Sequence, residues 1–101
     1  MVKVKVCNCD EVPSGEVKRF VVSVYDLAVY NLDGKFYVTD DTCTHGPSSL
    51  SDGFIDGDII ECSFHSGAFH IPTGKPTKFP CTIAVQTYPV HLIEGGIFID
   101  I

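Results

Sequence analysis

No stretch of this 101-residue sequence approaches the roughly 20 uninterrupted apolar residues that a membrane helix needs. The first residues, Met1 to Val6, alternate apolar and basic side chains, and no apolar core of a secretory signal follows them. These two absences predict a cytoplasmic protein that does not enter a membrane. An even set of cysteines is also missing: Cys7, Cys9, Cys43, Cys62 and Cys81 make five. Secreted disulfide frameworks favour even numbers, so metal ligation or free thiols are expected instead. No glycine-rich dinucleotide fingerprint is present, and 101 residues leave no room for a flavin or mononuclear-iron domain beside a first core. Finally, neither lysine nor arginine occurs between Phe36 and Gly74. That segment holds Asp40, Asp41, Asp52, Asp56, Asp58 and Glu61, while the other seven acids balance the seven bases, so the net charge of −6 belongs to it. An acidic surface of this kind repels nucleic acid and anionic membranes, and it can steer a basic protein partner. The bland alternative is a solvated face that maintains solubility.

What is present is almost all β. Val2, Val4 and Val6 alternate with Lys3 and Lys5, the period of a half-buried strand. Asp10 to Glu16 contains Pro13 and Gly15 and predicts a turn, after which Val17 to Val24 forms a β-branched run. Leu27 to Leu32 and Lys35 to Thr39 flank Asp33-Gly34, a pair that tolerates the positive φ of a tight hairpin. Thr87 to Ile93 and Ile97 to Ile101 flank Glu94-Gly95-Gly96 and predict a second hairpin. No helix period, repeat or low-complexity tract appears. Between the hairpins, about Asp40 to Pro80, the chain is rich in glycine, proline and small polar residues. It predicts a mostly loop-built insertion, ordered by Phe54-Ile55, Ile59-Ile60 and Ala68-Phe69. Loops of this length in a compact domain are usually functional or disordered.

The insertion contains Cys43-Thr44-His45 and, after sixteen intervening residues, Cys62-Ser63-Phe64-His65. A lone cysteine or histidine is ordinarily structural. Two mixed pairs in one glycine-rich segment place a thiolate and an imidazole within a single bite of a metal, twice. Such a donor set fits one zinc with Cys₂His₂ ligands, or a [2Fe–2S] cluster with two thiolates on one iron and two imidazoles on the other. Zinc motifs mostly place like ligands together, as Cys-x₂₋₄-Cys or His-x₃₋₅-His. Here each pair is mixed, C-x-H and then C-x₂-H.

In that spacing the sequence resembles the Rieske family. The likeness continues through Ser51-Asp52-Gly53-Phe54, Ile60-Glu61-Cys62, Gly67-Ala68-Phe69, Thr73-Gly74-Lys75-Pro76 and Tyr88-Pro89-Val90, most of the chain. In length and wording it is similar to the Rieske-type ferredoxins of bacterial aromatic-ring-hydroxylating dioxygenase systems. The resemblance implies a single all-β domain over 1–101, with stacked antiparallel sheets and a loop-rich cluster-binding insertion at about 40–80. It implies one [2Fe–2S] cluster on Cys43, His45, Cys62 and His65, with the cysteines on a buried iron and the histidines on an outer one. It implies no catalytic residue, but a one-electron carrier, monomeric when free. Its partners would be a flavoprotein NAD(P)H-dependent ferredoxin reductase and a terminal Rieske oxygenase, with no nucleic acid and no membrane. The same domain can serve as the small subunit of a larger enzyme such as an assimilatory nitrite reductase, and a zinc-bound interaction module is the other alternative.

Two departures bear on redox behaviour. High-potential respiratory Rieske proteins carry a further cysteine in each ligand loop, and Ser48 and Phe64 stand in the corresponding positions. Those proteins also direct a serine and a tyrosine hydroxyl at the cluster, where Gly67 and Phe69 align. Fewer hydrogen bonds to sulfur predict a potential near the low end of the Rieske range, about −150 mV. Outside the motif, Cys7, Cys9 and Cys81 are expected to be buried, inert thiols. His70 is expected to be an ordinary loop histidine, and His91 a structural or solvent-facing one. Gly46-Pro47 and Gly74-Lys75-Pro76 are expected to shape the loops.

Overall fold

Two residues with positive φ set the centre of the molecule. Asp33 (φ 56°) and Gly34 (φ 91°) form the tight turn that their sequence predicts, and the amide of Gly34 donates to Oδ1 of Asn31 at 2.8 Å. They join β3 (Tyr25–Leu32) to β4 (Lys35–Asp40), paired from Leu27↔Asp40 to Leu32↔Lys35. The structure, a computed structural model, describes residues 2–44, 46–63 and 67–101.

The described residues form three antiparallel sheets. The first has the order β1-β11-β10, from Lys3–Asn8, Gly96–Asp100 and Val90–Ile93. In the second, β2 (Val17–Val22), β3, β4 and β9 (Thr87–Tyr88) follow one another. The third consists of β5 (Phe54–Asp56), β6 (Ile59–Glu61), β7 (Ala68–His70) and β8 (Pro76–Lys78). Short 3-10 turns at Cys9–Glu11 and Leu50–Asp52 are the helical pieces among the described residues.

Strand β3 separates two cores. Side chains alternate across a strand, and here both faces are covered: Leu27, Ala28, Val29 and Tyr30 are fully buried. Leu27 and Val29 join Cys7, Val12, Val38, Ile97 and Ile99 in a framework core beneath the first sheet. Ala28 and Tyr30 face the other way, into a core with Cys43, Leu50, Ile60, Cys62, Phe69, Ile71, Cys81 and Val85. The Tyr30 hydroxyl meets Oγ1 of Thr39 at 2.9 Å, which satisfies its polar end inside the sheet.

Four expectations need adjustment. The β-branched run ends at Val22, because Ser23 (φ 57°) and the exposed Val24 make the turn that brings Val22 opposite Tyr25. Thr87 to Ile93 is not one strand. Thr87 and Tyr88 pair with β4, Pro89 has no amide proton with which to extend that ladder, and Val90–Ile93 pairs with β11 instead. The closing turn is Glu94-Gly95 alone, with Gly96 already opposite Ile93. The insertion is also more regular than a loop, since it carries the whole third sheet.

Candidate metal centre

Each motif cysteine sits where a short run of chain ends and a loop begins. Cys62 directly follows β6, and Cys43 lies just beyond β4. Both loops are closed in the same way: the Cys43 amide donates to the Ser48 carbonyl (2.9 Å), and the Cys62 amide donates to the Gly67 carbonyl (2.7 Å). In each case the acceptor lies five residues after the cysteine. Thr42 bridges Ser49 to close the first loop further. The two thiols are buried, at 3% and 1% exposure, whereas Thr44 and Ser63, one residue on, are exposed. Each loop therefore starts in the core and reaches solvent within one residue. His45 and His65 lie outside the described residues.

Two loops of matched closure, each sinking a thiol into one core, carry the C-x-H and C-x₂-H pairs, and residues 2–89 match the Rieske [2Fe-2S] domain. The chain belongs to the Rieske family. This Rieske protein is 45% identical to the ferredoxin CarAc of Metapseudomonas resinovorans over 94% of its own length and 90% of that protein's. It superimposes on a solved ferredoxin of Sphingomonas yanoikuyae B1 with a TM-score of 0.95, at 46% identity and 99% coverage of both chains. Another solved structure, a complex of reduced oxygenase and oxidized ferredoxin in carbazole 1,9a-dioxygenase, contains a chain matched at TM-score 0.89 and 43% identity. There the match covers 97% of this chain and 92% of that one.

The described donors of this Rieske protein fit a cluster. The two motif cysteines lie in the same core, each at the start of a loop closed by its own amide. Sγ of the buried Cys81 lies 3.9 Å from Sγ of Cys43, and its thiol is pushed up to about 12 by burial first, then by Cys43 and Cys62. All three cysteines thus belong to one core. Gly67 packs closely on Cys81 because it has no Cβ, which would collide with Sγ of that residue. Gly53 permits a second close approach: a Cβ there would strike the carbonyl oxygen of Glu61, the residue before Cys62.

Three contacts at the site had no counterpart in the sequence reading. The first is Ser48, whose Oγ lies 2.8 Å from Sγ of Cys62. The second is Asp41, fully buried just before the first motif cysteine. Its carbonyl accepts the Leu50 amide and its Oδ1 accepts the Ser51 amide at 2.9 Å, so it fastens both sides of the first loop. Its Oδ2 accepts no hydrogen bond among the described residues but faces Nε of Arg19 at 3.6 Å. Arg19 also forms a fork with Asp26, at 2.7 and 2.8 Å, which holds the Asp26 carboxyl below its ordinary range. The third is the 79–83 segment, tied to the first loop by the Thr44 hydroxyl, which donates to the Ile83 carbonyl at 2.7 Å. Phe79 and Ile83 in this segment are 82% and 66% exposed.

The remaining candidates lie away from the two loop cysteines in sequence and make contacts of their own or pack in the framework core. Both ring nitrogens of His70 are engaged, Nδ1 with Thr73 and Nε2 with Asp58, each at 2.8 Å. His91 pairs with Asp100 across β10 and β11. Burial pushes the Cys7 thiol up to about 12, as befits an inert core residue, whereas Cys9 is only half-buried in a 3-10 turn. Gly74 (φ 76°) makes the turn between β7 and β8 and returns its carbonyl to the Val85 amide.

The acidic segment is less uniform than its composition implies. Asp41 is buried, the Tyr88 hydroxyl donates to Asp40 at 2.6 Å, Asp58 holds His70, and Glu61 faces Lys78 at 3.9 Å. Asp52 is exposed at the Gly53 end of the third sheet, near Cys62 in register, because Phe54 pairs with Glu61. Asp56 and Asp58 lie at the opposite end of β5 and β6.

Proposed function

We propose that Cys43 and Cys62 as thiolates, with His45 and His65 as imidazoles, hold one [2Fe–2S] cluster, and that this chain carries single electrons between proteins. The electrons arrive from a flavin-containing, NAD(P)H-dependent reductase and leave for a terminal aromatic-ring-hydroxylating oxygenase. The observation that carries this reading is the pair of identically closed loops, each running from a buried thiol to exposed chain. The relatives support it: they are ferredoxins, and one is matched in complex with its oxygenase.

The cluster, when bound, supplies a one-electron couple that no side chain of this protein has. The chain's own residues exclude water from the thiols and close their loops with amide–carbonyl bonds, and the chain reaches solvent at Thr44 and Ser63. With all four protein ligands occupied no position is open to substrate, so the chain serves as a carrier rather than a catalyst. The exposed Phe79 and Ile83, tied to the first loop through Thr44, give the tip an apolar shoulder against which a partner can close. Asp52 lies nearest in register to this end, so it is the acid best placed for steering.

EPR of the purified protein before and after dithionite tests the reading. The expected result is a signal only on reduction, with average g below the free-electron value and distinct from four-cysteine clusters. A colourless protein that contains zinc and is silent in both states would leave a structural zinc module. A tight complex that never releases the chain would favour a permanent subunit of a larger reductase.

A further inference from the structure

Ser48 touches both ligand loops. Its carbonyl accepts the Cys43 amide, and its hydroxyl oxygen lies 2.8 Å from Sγ of Cys62. A ligating cysteine is a thiolate and can only accept, so in the loaded protein the serine hydroxyl must be the donor. Ser48 is half-buried, and its bond competes with water less than a surface contact would. Neither Gly67 nor Phe69 has a hydroxyl to offer from the second loop.

We propose that Ser48 is a positioning residue for electron transfer, whose hydroxyl holds the Cys62 thiolate and biases this protein toward its reduced state. The proposal rests on Cys62 being a cluster ligand. Reduction adds negative charge that the ligand sulfurs share, and a hydrogen bond to a more negative acceptor is stronger. The donor therefore stabilises the reduced form more than the oxidised one, as hydrogen bonds to sulfur do in iron–sulfur proteins generally. The serine partly replaces the hydroxyls missing at Gly67 and Phe69, from the loop across the site.

The test is a dye-mediated redox titration, followed by EPR, of the iron-loaded protein and of Ser48→Ala, Ser48→Thr and Ser48→Val. Threonine and valine have nearly the same shape and differ in the hydroxyl, so this pair separates the hydrogen bond from packing. The expected result is that the threonine variant titrates with the parent. The alanine and valine variants should favour the oxidised form by about tenfold, a potential lower by about 59 mV for a one-electron couple. Alanine and valine variants that titrate with the parent would overturn the proposal. If the alanine variant fails to take up iron, the threonine–valine difference decides alone, and equal potentials for that pair would also overturn it. A parent protein with no reduction-dependent signal would instead remove the cluster reading itself, a separate failure.

Discussion

Cys81 is the residue that tests the ligand assignment most directly. Its sulfur is 3.9 Å from that of Cys43, close enough that proximity alone would make it a rival donor. It is as buried as Cys43 and Cys62, and it differs from them in having no histidine within three residues. Cys81→Ala should retain full iron content and unchanged g values, with a stability loss of about 1 kcal/mol for one buried sulfur. Loss of iron, measured on the purified variant, would make Cys81 a ligand. The motif cysteines were legible in the sequence because their partners lie within three residues, so spacing alone reports the bite. Cys81, Ser48 and Asp41 were not. Each acts on a residue brought near by the fold, and nothing in Asp40-Asp41 tells which acid is buried.

At the scale of elements, β2 is fastened to β3 by the fork between Arg19 and Asp26, and through Arg19 it faces the buried Asp41 of the first loop. The Asp26 carboxyl titrates below its ordinary 3.8 in the folded protein because Arg19 donates to it. A depressed folded value stabilises above the unfolded pKa, and that contribution is lost as pH falls through the folded one. Asp26→Asn should therefore unfold more easily than the parent at neutral pH. The gap should close as pH is lowered below about 4, which thermal melts across that range would show; a gap constant with pH would refute the linkage. The β3–β4 hairpin was readable because Asp-Gly has a local conformational reason. The third sheet was not: strands of three residues, such as β5, β6 and β7, are too short to display a period. Proline at 89 did signal the break between β9 and β10, a signal that the apolar run around it concealed.

For the whole molecule, the two cores predict an uneven response to metal removal. The proposed sulfur ligands, Cys43 and Cys62, belong to one core, so iron extraction should loosen the third sheet and spare the framework. Hydrogen exchange should show amides of β6 and β7 losing protection while those of β3 and β11 keep it. Uniform loss across all three sheets would contradict this. The charge distribution yields a second test. Reversing Asp52, Asp56 and Asp58 together should lower the electron-transfer rate to an oxygenase partner and flatten its salt dependence. Asp52 alone should account for most of that effect, since the others lie at the far end of β5 and β6. Rates unchanged by the triple reversal would leave these acids with solubility only.

The placement of β3 has a consequence for how such a chain can vary. Leu27 and Val29 answer to the framework, while Ala28 and Tyr30, their immediate neighbours, answer to the sulfur side. Changes on opposite faces share few partners, so their effects should add rather than compound. Substitutions at Leu27 and Val29 should change stability through the framework, whereas those at Ala28 and Tyr30 should change stability and also the surroundings of the motif cysteines. Eight residues thus carry two separately adjustable faces.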